Sequence, residues 1–305
     1  MNTREAFLSE LYSIAHRDND IFFIATDLGS PSLDVFRKNL SGQFLNVGIA
    51  EQNAVLVASG IALSGKRSYV YGLAQFLVLR AFEQVRIYPA GMNLDVTLLG
   101  TSVGVANDVA GPTHHTIEDI ALMRILPNMQ IWSISDEYMA KAFARMSYEV
   151  KGPKYIRFDN EMLPAVYNES ADFTQRIHTF GEKSDICILS CGNMLHVALA
   201  VKDVLNKKGV QVCVADTAIL PLSSNEIEEL SAKVIFTLEE HTLPGGLGTH
   251  VLEIISDNNL QIQVRRVGFD FSKGYYRKNG NRSQIYRDCK MDAMAVADRI
   301  LREMQ

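Results

Sequence analysis

Phe44-Leu-Asn-Val-Gly-Ile-Ala-Glu-Gln-Asn-Ala-Val-Leu-Val-Ala-Ser-Gly-Ile-Ala-Leu63 decides the fold. Its first six residues read as a β-rich run. The remainder reads as a helix over roughly 51–63, apolar throughout and opened by an acidic residue, Glu51. Working outward, the same alternation repeats on both sides. A helix over 3–16, with Thr3 as N-cap, carries Ala6, Phe7, Leu11, Ile14 and Ala15 on one face. Short strands are predicted at Ile21–Ala25, which leads to Asp27, and at Tyr69–Tyr71, Val96–Leu99, Gln130–Ile134 and Tyr155–Phe158, with a helix near 76–88. Residues 164–185 are polar and aperiodic, with Pro164 and Gly181, and read as a connection. The rhythm restarts at Ile186–Leu189. A helix near 193–207, Val210–Val214, Val234–Leu238, a helix after Gly246, Val264–Val267 and a helix over 291–303 follow. The pattern implies α/β architecture: two domains, each a parallel or mostly parallel sheet with helices on both faces. The expected division is 1–168, a linker at 169–183, and 184–305.

Composition narrows the function. The chain has 305 residues, 47% hydrophobic and 21% charged, which is globular material for two domains. A formal net charge of −5 argues against a chain-wide nucleic-acid or anionic-membrane footprint. The first twenty residues lack the apolar core of a secretory signal, and Ala54–Leu63 is too short to span a bilayer. Cys187, Cys191, Cys213 and Cys289 suit a reduced cytoplasm. The CxxxC pair at Cys187 and Cys191 reads as core thiols, with no second pair or histidine cluster to complete a metal shell.

In parallel sheets ligands collect beyond the carboxyl ends of strands, which singles out Asp27, Glu51, Gln75, Ser102, the 107–115 segment and Arg157. Two segments among them are particular. Asn46-Val-Gly-Ile-Ala-Glu-Gln-Asn53 is followed by Glu83-Gln-Val-Arg86 and by Gly111-Pro-Thr-His-His-Thr-Ile-Glu-Asp-Ile-Ala-Leu-Met-Arg-Ile-Leu-Pro-Asn128. In this order and spacing they resemble the pyrimidine-binding domain of transketolases. Ala215-Asp-Thr-Ala-Ile-Leu-Pro-Leu222, Thr237-Leu-Glu-Glu-His-Thr-Leu-Pro-Gly-Gly-Leu-Gly248 and Arg266-Val-Gly268 resemble the C-terminal domain of that family. The resemblance covers nearly the whole chain. The Gly-Asp-Gly…Asn motif, by which fused members hold a metal and a diphosphate, is missing. The resemblance thus implies the C-terminal subunit of a split transketolase. Thiamine diphosphate would be shared with an N-terminal partner in an α2β2 assembly. That partner would hold the Mg²⁺ or Ca²⁺, and this chain would supply no metal ligand.

The resemblance also implies roles. Thiamine diphosphate reacts through C2 of its thiazolium ring, helped by a carboxyl hydrogen-bonded to N1′, and Glu51 matches that carboxyl. Val47, Ile49, Ala50, Ala54 and Val55 surround it in sequence, an apolar setting that favours a shared proton over a fixed charge. Phe76 matches the region of an aromatic that stacks on the pyrimidine, though Leu73, Leu77 and Arg80 stand where aromatic neighbours are expected. Asp27 and Leu28 match a cofactor-contacting pair. His114 matches a histidine that moves protons around the reacting oxygens. Arg4 matches a ligand of the substrate phosphate, and Arg157 matches the Arg of the family's S-R-Q-N segment, a further substrate contact. His115 replaces a glutamine, and His241 reads as structural or interfacial.

Two departures concern substrate. Ala110 stands where ordinary transketolases carry an Asp that reads a sugar hydroxyl, and Ser102 stands where they carry a His. Asn107 and Asp108 are placed to compensate. The expected activity is transfer of a two-carbon ketol unit between sugar or sugar-phosphate substrates of specialised structure. The alternatives are a deoxyxylulose-phosphate-synthase-like subunit, a 2-oxoacid dehydrogenase β-type subunit, and a cofactor-free regulatory relative.

Overall fold

A computed structural model describes residues 2–270, 272, 274–278 and 280–304. Met1 and Gln305, which bound the expected domains, lie outside the described residues. The chain forms two compact units, but they interleave. The first comprises 1–103 and 122–173, and the second comprises 104–121 and 174–305. The 104–121 segment therefore belongs with the second unit, where a contiguous division was expected.

In the first unit, β1 (Ile21–Ala25), β2 (Phe44–Asn46), β3 (Arg67–Leu73), β4 (Val96–Thr101), β5 (Gln130–Ser133) and β6 (Lys154–Phe158) are ordered β5-β6-β4-β3-β1-β2. All of these pairings are parallel. Every residue of β4 and β6 is buried, as strands covered on both faces require, and β6 buries Lys154 and Arg157 along with its apolar residues. Helices Thr3–Ala15 and Glu137–Glu149 pack on each other, and helix Glu51–Leu63 packs on β3. Helix Thr3–Ala15 is capped by Asn2, not Thr3. The Asn2 side chain accepts the Glu5 N–H, while buried Thr3 turns its hydroxyl to the Asp159 carbonyl. The expected helix near 76–88 is broken. Phe76–Arg80 and Arg86–Ala90 are wide π-type turns around a short helix, Phe82–Val85, and the Ala81 N–H reaches back to the Phe76 carbonyl (3.3 Å).

An ionic knot closes the amino-terminal edge of this sheet. Lys154 is wholly buried, and its ammonium donates to Asp95 (3.1 Å) and to the Val150 and Gly152 carbonyls (2.8 and 2.6 Å). Burial pushes its pKa down, and the Asp95 carboxylate opposes that. Asp95 also takes Arg67 (3.1 Å). Losing one partner of a buried pair costs about 3–5 kcal/mol, so this edge is firmly set and the opposite ends of the strands are left for function.

The second unit holds β7 (Ile177–Phe180), β8 (Ile186–Ser190), β9 (Cys213–Thr217), a two-residue β10 (Ile219–Leu220), β11 (Val234–Thr242) and β12 (Gln263–Phe269). Its sheet is ordered β12-β11-β8-β9-β7. β7 lies inside the stretch expected to be linker and pairs antiparallel with β9. Little in its residues signals a strand, because only Ile177 and Phe180 are large and apolar and no position is fully buried, as suits a short edge strand. Cys187 and Cys191, expected to be core thiols, are both buried and free, and Cys187 faces the buried Cys213 in register across β8 and β9. No helix among the described residues is long and apolar enough to cross a membrane.

Candidate active site

In the first unit the carboxyl ends of β1, β2, β3, β4 and β6 deliver Asp27, Glu51, Gln75, Ser102 and Asn160. Helix Glu51–Leu63 begins at Glu51, whose side chain is 3% exposed. The guanidinium of Arg80 meets its Oε2 at 2.5 Å and also lies over the Phe76 ring, 4.2 Å from the centroid. Oε1 accepts no hydrogen bond among the described residues. Ala54 and Val55 are buried as expected, but Val47 is half-buried and Ile49 is 76% exposed. The apolar setting is thus corrected to a half-apolar one with a cation on one side. Two acceptors on the segment that bears Phe76 and Arg80, Gln75 Oε1 and Gln84 Oε1, are buried without a partner.

Asp27 adopts a left-handed backbone (φ 60°), uncommon for a residue with a side chain. Asn46 holds it there. Its amide donates to Asp27 Oδ1 (3.1 Å), while its oxygen accepts the Asp27 N–H (3.2 Å) and the Gly48 N–H (3.0 Å). One asparagine therefore ties the expected cofactor-contacting turn to the turn that introduces Glu51. Leu28, half-buried, follows in the same turn.

Arg4 pairs with Glu5 (3.0 Å). Burial works to raise the Glu5 carboxyl, but hydrogen bonds from Ser32 and Ser30, with the Arg4 charge, outweigh it and hold the carboxyl below its ordinary range. Arg157 is 5% exposed and donates to Ser133 Oγ (3.1 Å) on the neighbouring strand. Ser102 is 2% exposed, left-handed (φ 64°), and accepts from Asn160 Nδ2 (2.6 Å), whose oxygen in turn accepts from Thr101 (2.9 Å).

In the second unit the 104–121 segment folds on itself through paired N–H···O=C bonds between Gly104 and Thr116 (2.9 and 2.7 Å). Between them run Asn107, Asp108, Ala110 and His114. His114 is half-buried, with Nδ1 2.9 Å from the Thr113 hydroxyl. Asp108 is already engaged, accepting from its neighbour Val109 N–H (2.7 Å) and from Arg282 N–H (2.9 Å). The side chain of Asn107, the other residue expected to compensate for Ala110, makes no hydrogen bond among the described residues. His115 is 3% exposed, and burial pushes its pKa down against a bond to the Asp108 carbonyl. His241, expected to be structural or interfacial, is buried. It donates from Nδ1 to the Thr242 carbonyl (2.6 Å), so Nε2 accepts the Ala121 N–H (3.3 Å).

The structure therefore gathers Glu51 and Phe76 around Arg80, and Asp27 against Asn46, in the first unit. Asn107 and His114 share one loop in the second. Arg80, Asn46, Asn160, Glu240 and Arg282 escaped the sequence reading. Arg80 was legible only as an arginine in an aromatic's place, and Glu240 only as part of a matched segment. Arg282 carried no signal.

Residues 1–165 match the transketolase pyrimidine-binding domain, and residues 176–286 match the transketolase C-terminal domain. The chain is 35% identical over 267 residues to an apulose-4-phosphate transketolase subunit of Phocaeicola vulgatus, covering 86% of each chain. It is 27% identical to the 6-deoxy-6-sulfo-D-fructose transketolase subunit of Clostridium sp. strain MSTE9, covering 87% of this chain and 84% of that one. A solved split-gene transketolase, described as an inactive β4 tetramer, superposes with a TM-score of 0.87 at 30% identity, over 99% of this chain and 98% of that one. The chain belongs to the transketolase family, as a C-terminal subunit of the split type.

Proposed function

We propose that this chain is the pyrimidine-side subunit of a thiamine-diphosphate-dependent transferase that moves a two-carbon ketol unit between specialised sugars or sugar phosphates. It would work in the cytoplasm with an N-terminal subunit in an α2β2 assembly. The observation that carries the reading is the Glu51 carboxyl. It is buried at a helix start, with one oxygen held by Arg80 and the other open, beside the half-buried Phe76. That set suits an aminopyrimidine, which has a ring nitrogen for a carboxyl and a flat face for an aromatic. When bound, thiamine diphosphate supplies the nucleophilic C2 centre that no side chain can provide. Glu51 holds the proton at N1′, and Arg80 fixes the carboxyl's orientation. Asp27 and Leu28 shape the turn beside the cofactor, and Phe76 supports the ring. His114 moves protons at the substrate's oxygens, and Asn107 reads a hydroxyl that Ala110 does not. Arg4, Ser102 and Arg157 line the substrate end. An Mg²⁺ or Ca²⁺ would be held by oxygen ligands of the partner subunit.

Specialised substrates are supported by relatives described as acting on apulose 4-phosphate and on a sulfonated fructose. The test is reconstitution. Alone, the chain should fold, bind thiamine diphosphate weakly and turn nothing over. With its partner and Mg²⁺ it should bind the cofactor tightly and transfer a ketol unit. Tight Mg²⁺-dependent binding by the isolated chain would overturn the division of labour.

A further inference from the structure

One buried ionic cluster takes no part in that chemistry. Glu240, near the end of β11, is 4% exposed, and Arg282 is 5% exposed. Glu240 Oε1 accepts from Val105 N–H (3.2 Å), Arg282 Nε (2.8 Å) and the Tyr286 hydroxyl (2.7 Å), and its Oε2 pairs closely with Arg282 Nη2. Tyr286 is itself fixed by Asn193 (2.8 Å). Arg282 then uses its backbone N–H on Asp108, whose carbonyl holds the ring of His115. Gly104, at φ +63°, lies so close to Glu240 that a Cβ would overlap the carboxylate. Glu240 and Arg282 thus grip the loop Gly104–Thr116 at its root, through Gly104 and Val105, and at its middle, through Asp108. His114 and Asn107 ride on that loop.

We infer that Glu240, Arg282 and Tyr286 form a positioning clamp for His114 and Asn107 in the transfer step, an inference that rests on the transketolase reading of that loop. Apolar packing would bury the same surface at less desolvation cost but would leave the loop free to slide. A bidentate carboxylate–guanidinium pair fixes direction as well as distance. Proton transfer needs that, since a misplacement of about 1 Å costs on the order of a hundredfold in rate. Neither Glu240 nor Arg282 needs to touch substrate.

The test uses the full chain with its partner subunit and three readouts. Glu240→Gln and Arg282→Met should lower kcat by about ten- to a hundredfold, with KM for the ketose changed less. Hydrogen–deuterium exchange at C2 of the bound cofactor, which reports on Glu51, should stay within about twofold of wild type, by the same separation of steps. Arg282→Lys, which keeps the charge without the fork, should recover part of the loss. Gly104→Ala, which attacks the clamp from the loop side, should reproduce the pattern. Unchanged kcat in folded Glu240→Gln and Arg282→Met complexes would overturn the clamp, as would C2 exchange falling in step with kcat. If the wild-type complex shows no C2 exchange, the thiamine reading fails instead. Amide exchange of residues 105–116 in the isolated chain, which needs no cofactor, then decides the clamp. Faster exchange in Glu240→Gln supports it, and equal protection refutes it.

Discussion

Glu51→Gln separates fold from chemistry at one atom. The amide keeps the size of the carboxyl and an oxygen that can still accept from Arg80, but it loses the charge and the transferable proton. The structural cost should be small. Arg80 is 43% exposed, so water can solvate the guanidinium once its partner is neutral, and pairs with one exposed member are worth no more than about 1 kcal/mol. Glu51 itself is 3% exposed, so replacing a buried carboxylate by an amide also relieves desolvation. The catalytic cost should be larger. Placing a proton at a reacting group contributes roughly 10²–10⁴-fold, which is about 3–5 kcal/mol of barrier. The barrier term therefore exceeds the folding term several times over. The variant complex should melt within a few degrees of wild type, bind cofactor, and exchange the C2 proton at least a hundred times more slowly. NMR of the cofactor after quenched incubation in deuterium oxide measures this directly. Exchange at the wild-type rate in a folded, cofactor-loaded complex would show that Glu51 is not the activating acid.

Two further outcomes follow from the loop. His115 has a pKa pushed down by burial, so its contribution is complete above its unfolded value, about 6.5, and is lost as pH falls below that. Amide protection of residues 104–116 should weaken between pH 7 and pH 5.5 in the wild-type chain, and His115→Gln should flatten that dependence. Ala110 is exposed whereas Ser102 is buried against Asn160, so Ala110→Asp alone should restore reading of an ordinary sugar hydroxyl. It should raise relative kcat/KM on common phosphorylated aldoses by about ten- to a hundredfold, measured across an acceptor panel.

The alternation of apolar runs and helical stretches made the two-sheet architecture legible, because parallel strands buried on both faces are mostly apolar. Helix Glu51–Leu63 matched its expected bounds, since its first residue is its only charged one. The β7 edge strand was not legible, because an edge needs little burial. The broken segment 76–90 looked helical because the i→i+5 bonding of its wide turns leaves no mark in the residue types. At the site, motif residues were visible as motifs, while their supports were not. Asn46 and Asn160 act through amide geometry, and Arg282 meets Asp108 across 174 residues of chain. Nothing in local pattern records such a meeting.

That separation bears on how the chain is made. Contacts so distant in sequence form late, because the intervening chain must first exist and then close a long loop. At roughly 5–20 residues per second, the separation of 174 residues from Asp108 to Arg282 takes about 9–35 s to synthesise. Until that interval ends, the nascent loop carries His114 without Arg282, and so without the complete clamp, to hold it. The sheet strands β1 to β4, by contrast, have emerged together and can pair. The loop that bears the expected proton carrier is therefore among the last parts of the protein to take shape on the ribosome.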